Sequence, residues 1–168
     1  MSLDLTLRNR HRTRPVETRY LRKISTTLLV DLLQIKKAEL GVSLVAAPEM
    51  TRINENFLNH PGSTDVITFD HRPTPTPRRP GSPTREQPIF GELFICLDEA
   101  VLQARRFRTT WQAELVRYLI HGTLHLLGHD DHRAHDRRTM KREENRLLRR
   151  LRTRFPLSRL ARKPKLRA

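Results

Sequence analysis

The segment WQAELVRYLIHGTLHLLGHDDH, residues 111–132, decides how the rest of the chain is read. Leu115, Leu119 and Leu126 form one apolar stripe at helical spacing, and Val116, Ile120, Thr123 and Leu127 form the next. This predicts a buried helix from Trp111 to Leu127, closed by Gly128. Yet His121, His125, His129 and His132 all fall inside the segment, half of the eight histidines in the chain. An imidazole among leucines loses hydration that apolar neighbours cannot replace. His121 and His125 lie four residues apart, so their side chains stack on one face a turn apart, the spacing at which a single helix supplies two ligands to a metal. Past Gly128 the chain can turn back with a third donor, from His129, Asp130, Asp131 or His132. A metal that accepts the lone pairs removes the desolvation cost, whereas a pair of hydrogen-bonded core histidines leaves the downstream His/Asp cluster unexplained. Zinc is the usual occupant of imidazole-rich sites, and nickel or iron accept the same donors. Three protein ligands leave a position open for water, as catalytic sites do. Zinc peptidases of the HExxH type place their general base directly after the first histidine; here that residue is Gly122, so peptidase chemistry is not expected.

Outward from this helix, the pattern predicts an α+β domain. LDLTL, 3–7, alternates like a half-buried strand, and Leu21, Ile24, Leu28, Leu32 and Ile35 predict a helix over 17–40 stopped by Gly41. VSLVAA, 42–47, reads as a strand, and Pro48 and Glu49 open a short helix ending near Asn59. DVITF, 65–69, and IFGELFICL, 89–97, are further strands, with Asp98 as N-cap of a helix through Phe107. A last helix is expected from about His135 to Leu151. Residues 71–88 hold six of the eleven prolines and read as an exposed loop. The final twenty residues carry nine Lys or Arg and read as a basic, disordered tail, so the domain is expected over 1–152 and the tail over 153–168.

The 168 residues suffice for one core. With 33 Lys and Arg against 18 Asp and Glu, the formal charge of +15 favours polyanionic partners such as nucleic acid or acidic lipid surfaces. The lone Cys96 cannot form an internal disulfide, fits a reducing cytosol, and sits between Ile95 and Leu97 like a buried strand thiol. No apolar run has the length of a signal peptide or a membrane span, so a cytoplasmic, non-membrane location is expected.

HGTLHLLGHDDH, 121–132, resembles the H-G-x-L-H-L-x-G-x-D-H signature of the YbeY endoribonucleases, the bacterial rRNA maturation factors. INENFLNHPGSTDVITF, 53–69, is similar to the family's L-N-x-x-Y-R-x-x-D-x-P-T-D-V-L-S-F stretch, and GELFICLDEAVLQA, 91–104, to its G-D-I-x-I-C strand and following helix. The resemblance covers roughly residues 5–150. It implies a single α+β domain with a small mixed sheet packed by about five helices, one zinc ion on a central helix, and single-strand-directed cleavage of RNA in rRNA maturation and ribosome quality control. It also implies association with the small ribosomal subunit and an Era-type GTPase.

Two departures bear on the chemistry. The family's third histidine falls on Asp131 in an ungapped alignment, while His132 sits one position later and requires the turn to absorb a residue; carboxylate oxygen is also an acceptable zinc donor. The ligand set is therefore His121, His125 and either Asp131 or His132. The family's arginine in the 53–69 stretch falls on Leu58, which removes a cation able to neutralise phosphate; Arg52, His60 and Arg72 are possible substitutes. Asp65, in the retained Thr64–Asp65 pair, either orients a histidine, handles a proton, or caps the turn before its strand. The alternative to a zinc-dependent nuclease is an RNA-binding ribosome assembly factor stabilised by zinc, which the absent arginine favours. A metallohydrolase for another substrate is the third reading.

Overall fold

The structure is a computed structural model that describes residues 1–73 and 88–163. A four-stranded sheet has the order β1-β2-β4-β3, formed by β1 (Ser2–Asn9), β2 (Lys37–Val45), β3 (Val66–Asp70) and β4 (Ile89–Cys96). β1, β2 and β4 run parallel, and β3 pairs antiparallel on the edge of β4, so the sheet is mixed. Five α-helices accompany it: α1 (Thr18–Thr26), α2 (Ala47–Leu58), α3 (Leu97–Phe107), α4 (Trp111–Leu126) and α5 (Ala134–Arg154). The α+β architecture expected from the pattern is the one observed.

The period-two alternation of the strands explains the layering. Leu5, Leu40, Val42, Leu93 and Ile95 share one buried face, covered by α1 and α4. The opposite face carries Thr6, Glu39, Ser43 and Glu92 toward solvent and is covered over Val45, Ile67 and Cys96 by Met50 of α2. Helix α4 approaches the sheet closely because Gly122 faces it: a Cβ there would lie 2.7 Å from Leu93 Cδ2 and 3.3 Å from Val66 Cγ2. Gly128, at φ 88°, closes α4, with the His129 N–H donating back to the Leu124 carbonyl at 3.0 Å.

Several boundaries differ from the sequence pattern. The expected helix over 17–40 stops much earlier. After α1 it continues as a π-helical turn, Thr27–Leu32, with the Leu33 N–H bonding the Leu28 carbonyl five residues back, and Gln34 at φ 56° breaks it. Ile35 follows the break, β2 begins at Lys37, and Gly41 lies inside the strand opposite Glu92 rather than ending a helix. Asp98 is not the N-cap of α3, which begins at Leu97. Instead its carboxylate accepts the Ala47 N–H at 2.7 Å at the start of α2 and meets His11 Nε2 at 2.8 Å, joining three segments.

The expected tail also begins later than residue 153. α5 runs to Arg154, a 3₁₀ turn at Leu157–Leu160 buries both leucines, and Ala161 bridges Val16. Residues 164–168 and 74–87 lie outside the described residues, and with them most of the expected proline-rich loop. Among the described residues no helix is long and apolar enough to cross a membrane.

Candidate metal centre

The close seat of α4 at Gly122 places His121 and His125 on the flank of the helix that borders β3, each about one quarter exposed. Their rings meet edge to face with centroids 4.6 Å apart, and the two Nε2 atoms are 3.0 Å from each other. Oδ2 of Asp131, on the turn after Gly128, lies 3.7 Å from His121 Nε2 and 3.6 Å from His125 Nε2.

Both imidazoles are oriented through their other nitrogen. His121 Nδ1 donates to the Glu144 carboxylate of α5, and His125 Nδ1 donates to the His129 carbonyl at 3.0 Å. With each ring proton on Nδ1, both Nε2 atoms present bare lone pairs to one another and to a carboxylate oxygen. A proton shared between the two Nε2 atoms across 3.0 Å relieves this convergence, and so does a metal ion among the three donors. Tetrahedral ligands at zinc-like bond lengths stand about 3.3 Å apart, and the three separations bracket that value. The donor set fits a divalent ion.

The expected third donors are now distinguished by position. Asp131 joins the two histidines within 4.8 Å, whereas the His132 ring is 87% exposed, 3.5 Å from Asp130 Oδ1, and belongs to a separate grouping with Asp130 and Asp131. The cause is local: Asp130 Oδ1 accepts the N–H groups of both Asp131 (2.7 Å) and His132 (3.1 Å), a cap that turns Asp131 inward. The His132 N–H is also the first cause holding the Asp130 carboxyl below its ordinary pKa. His129 contributes its backbone carbonyl, and its ring is not among the clustered donors.

Asp65 is where a turn cap should be. Its Oδ1 accepts the Val66 N–H at 2.8 Å and the Thr64 hydroxyl at 3.2 Å. It also lines a cavity of about 380 Å³ together with Tyr118, His121, Asp131 and Glu144. The carboxylate that orients His121 is therefore Glu144, which no sequence signal marked: it is 23 residues away on a helix that reads as solvated and basic. Glu144 is itself buried, with Arg117 Nη1 3.7 Å from its second oxygen. Burial pulls the His121 pKa down, but the Glu144 hydrogen bond and charge, aided by Asp65 and Asp131, outweigh it and leave the pKa above its ordinary value.

Leu58 borders a second cleft on the other side of the cluster, shared with His121, His125 and Asp131. Arg52, His60 and Arg72 line neither cavity, and Arg72 is engaged with Asp70 through Nε at 2.9 Å. The cations at the cluster are Arg117, Arg137 and Lys141. Arg137 Nη1 donates to the His132 carbonyl at 2.8 Å and so steadies the turn, while Lys141 makes no ion pair with a described residue. Asn54 is structural: its Nδ2 donates to the Gly62 carbonyl at 2.9 Å and holds the loop after α2.

Comparison with known proteins gives the family. The profile of the family described as Endoribonuclease YbeY matches residues 6–152. A protein of that name from Elusimicrobium minutum is 36% identical over 67% of this chain and 74% of its own length. Another from Salinibacter ruber is 30% identical over 86% of this chain and 89% of its own. A third, from Chlorobium luteolum, is 41% identical over 60% of this chain, and the match spans 64% of that protein. The solution structure of TM1509 from Thermotoga maritima superposes with a TM-score of 0.63 over 98% of this chain and 99% of that one; at 20% identity it speaks for the fold alone. With a family profile spanning nearly all of the described fold and relatives named for one activity, the chain belongs to the YbeY endoribonuclease family.

Proposed function

We propose that the chain is a cytoplasmic, zinc-dependent endoribonuclease that cuts single-stranded RNA during maturation of the small-subunit rRNA 3′ end and in ribosome quality control. The observation that carries the reading is the convergence of three donor atoms, His121 Nε2, His125 Nε2 and Asp131 Oδ2, with the Nδ1 of each ring turned to an acceptor. A zinc ion held there supplies Lewis acidity for attack of water on a phosphodiester. The chain's own groups do the rest. Glu144 and the His129 carbonyl fix the ring orientations. Lys141, with no competing carboxylate partner, binds a backbone phosphate on the α5 side, in place of the arginine absent at Leu58. Asp65, whose second oxygen accepts no hydrogen bond from a described residue, takes up the proton released in the cavity. The small ribosomal subunit and an Era-type GTPase are the partners that go with this role.

One observation favours a second reading, a zinc-stabilised RNA-binding assembly factor: Leu58, not a cation, faces the cleft beside His121 and His125. The two readings separate when metal content, folding and cleavage of single-stranded RNA are measured for wild type, His121→Ala, Asp131→Ala and His132→Ala side by side. A nuclease loses metal and cleavage together in His121→Ala and Asp131→Ala, keeps both in His132→Ala, and stays folded throughout. Metal-replete wild type that never cleaves, and unfolds on chelation, leaves the assembly factor.

A further inference from the structure

The family match ends at residue 152, but the chain continues as built structure. Phe155 packs edge-on against Tyr20, Tyr20 Oη donates to the Pro156 carbonyl at 3.1 Å, and the Glu17 N–H donates to the Leu160 carbonyl at 2.9 Å. These contacts pin the segment across α1, and the consequence is electrostatic. Arg159, Arg162 and Lys163 are brought beside Arg19 and Lys23 of α1 around an open cavity of about 820 Å³. None of the five forms an ion pair with a described residue, and among the described residues Glu17 is the one carboxylate in the lining. The Arg159 guanidinium lies 4.8 Å from the centre of the Tyr20 ring, which fixes its direction. Unpaired cations gathered by a folded segment repel one another, and a polyanion relieves that repulsion.

We infer that this C-terminal cavity is a second binding site for the phosphate backbone of single-stranded RNA, separate from the histidine cluster. The cavity sits on α1, which packs on β1, while the cluster borders β3, and these strands are opposite edges of the sheet. Three interstrand spacings put those edges about 14 Å apart. An RNA strand reaching both sites is held at two points, so the outer site anchors long substrates without touching the reacting phosphate. The site is a concave basic pocket beside an aromatic ring, and the apolar face of α1 is buried in the core through Leu21 and Ile24, which favours RNA over an anionic bilayer. The choice of RNA as the polyanion rests on the ribonuclease reading.

Salt-dependent binding of fluorescent oligouridine to the full chain tests it. Each lost phosphate contact lowers the log–log salt slope by about 0.7, so Arg159→Ala/Arg162→Ala/Lys163→Ala reduces the slope by about 2 and Arg19→Ala/Lys23→Ala by about 1.4. Because the two pocket variants alter different elements, a folding defect in one does not remove the test. Wild-type slopes in both overturn the inference, as does a loss confined to phosphatidylglycerol vesicles with RNA binding intact. Cleavage of a short oligonucleotide, too short to span the two sites, is read in parallel. If wild type binds through the pocket but never cleaves, the nuclease reading fails and the pocket stands. If the pocket variants bind and cleave as wild type does, the pocket fails alone.

Discussion

Replacing Glu144 by glutamine tests whether the buried carboxylate tunes the metal centre. Gln keeps an oxygen in place to accept the His121 Nδ1–H but removes the charge, turning a charge-assisted hydrogen bond into a neutral one. That difference is about 1–1.5 kcal/mol, or roughly tenfold in metal affinity. Alanine also strands the Nδ1–H and removes one of the two carboxylates beside Arg117, which brings the loss toward about a hundredfold. A second effect runs the other way. Glu144 holds the His121 pKa up, so in wild type a proton competes with the metal to higher pH than in Glu144→Gln. The affinity deficit of the Gln variant is therefore full above the raised pKa of His121 and shrinks as the solution is acidified. In the metal-free protein the same shift has a stability consequence. A folded pKa above the unfolded value adds stability below about pH 6.5, lost as pH rises through the folded pKa, and Glu144→Gln forfeits that acid-side increment. Competition titrations of zinc against a chromophoric chelator at several pH values read the first effect, and urea unfolding of the metal-free protein reads the second. Equal zinc affinity for wild type and Glu144→Gln in alkaline solution, or a deficit that grows on acidification, refutes the reasoning.

Two further predictions concern the frame that holds the site. Gly122→Ala puts a Cβ 2.7 Å from Leu93 Cδ2, a fully buried side chain that has to shift against packed neighbours. Overpacking of about 1–3 kcal/mol exceeds the roughly 1 kcal/mol gained in helix propensity, so thermal denaturation falls by a few degrees, and a rise in Tm contradicts the close approach of α4 to the sheet. Asp98→Asn weakens the junction of His11, the α2 N-terminus and α3. Burial raises the Asp98 pKa, but the Ala47 N–H and His11 outweigh it and hold the carboxyl below its ordinary value. The wild-type advantage is thus present above the unfolded pKa of about 3.9 and closes as pH falls through the lower folded value. Urea midpoints of both proteins across the acid range measure the gap, and a gap independent of pH means the carboxylate charge is not its source.

The legible parts of the fold were those in which one physical pattern dominates. Helix α4 is apolar on two adjacent stripes, starts after Thr110, whose Oγ1 accepts the Ala113 N–H, and ends on a glycine, so pattern and punctuation agree. The 17–40 stretch misled because Leu28, Leu32 and Ile35 keep helical spacing through a π turn that ends on Gln34, a residue that gives no warning of a left-handed conformation. β2 hid its first half because Lys37 and Glu39 face solvent, while Ala38 and Leu40 alone continue the buried row. In the basic C-terminal stretch only Leu157 and Leu160 betray a packed turn. In the site, the histidine pair was legible from spacing on one helix. Placing Asp131 inward and His132 outward required the Asp130 cap, and pairing Glu144 with His121 required the packing of α5 on α4, neither of which has a local signature.

Gly122 links the frame to the chemistry. In a zinc peptidase the residue after the first histidine carries the base, but here that position faces Leu93 and Val66 at a separation that leaves no room even for a methyl group. The helix cannot both sit this close to the sheet and project a carboxylate from residue 122. In the proposed nuclease, proton handling and charge compensation come from neighbouring elements: Asp65 before β3, Glu144 and Lys141 on α5, and Asp131 on the turn after α4. Those groups arrive from three separate parts of the chain and line one cavity with His121. Cavities open on both sides of the cluster, one lined by Asp65, Tyr118 and Glu144 and the other by Leu58, Val66 and His125, and they share His121 and Asp131. The glycine that excludes a peptidase base is thus the same feature that seats the two histidines against β3, between cavities that share His121 and Asp131.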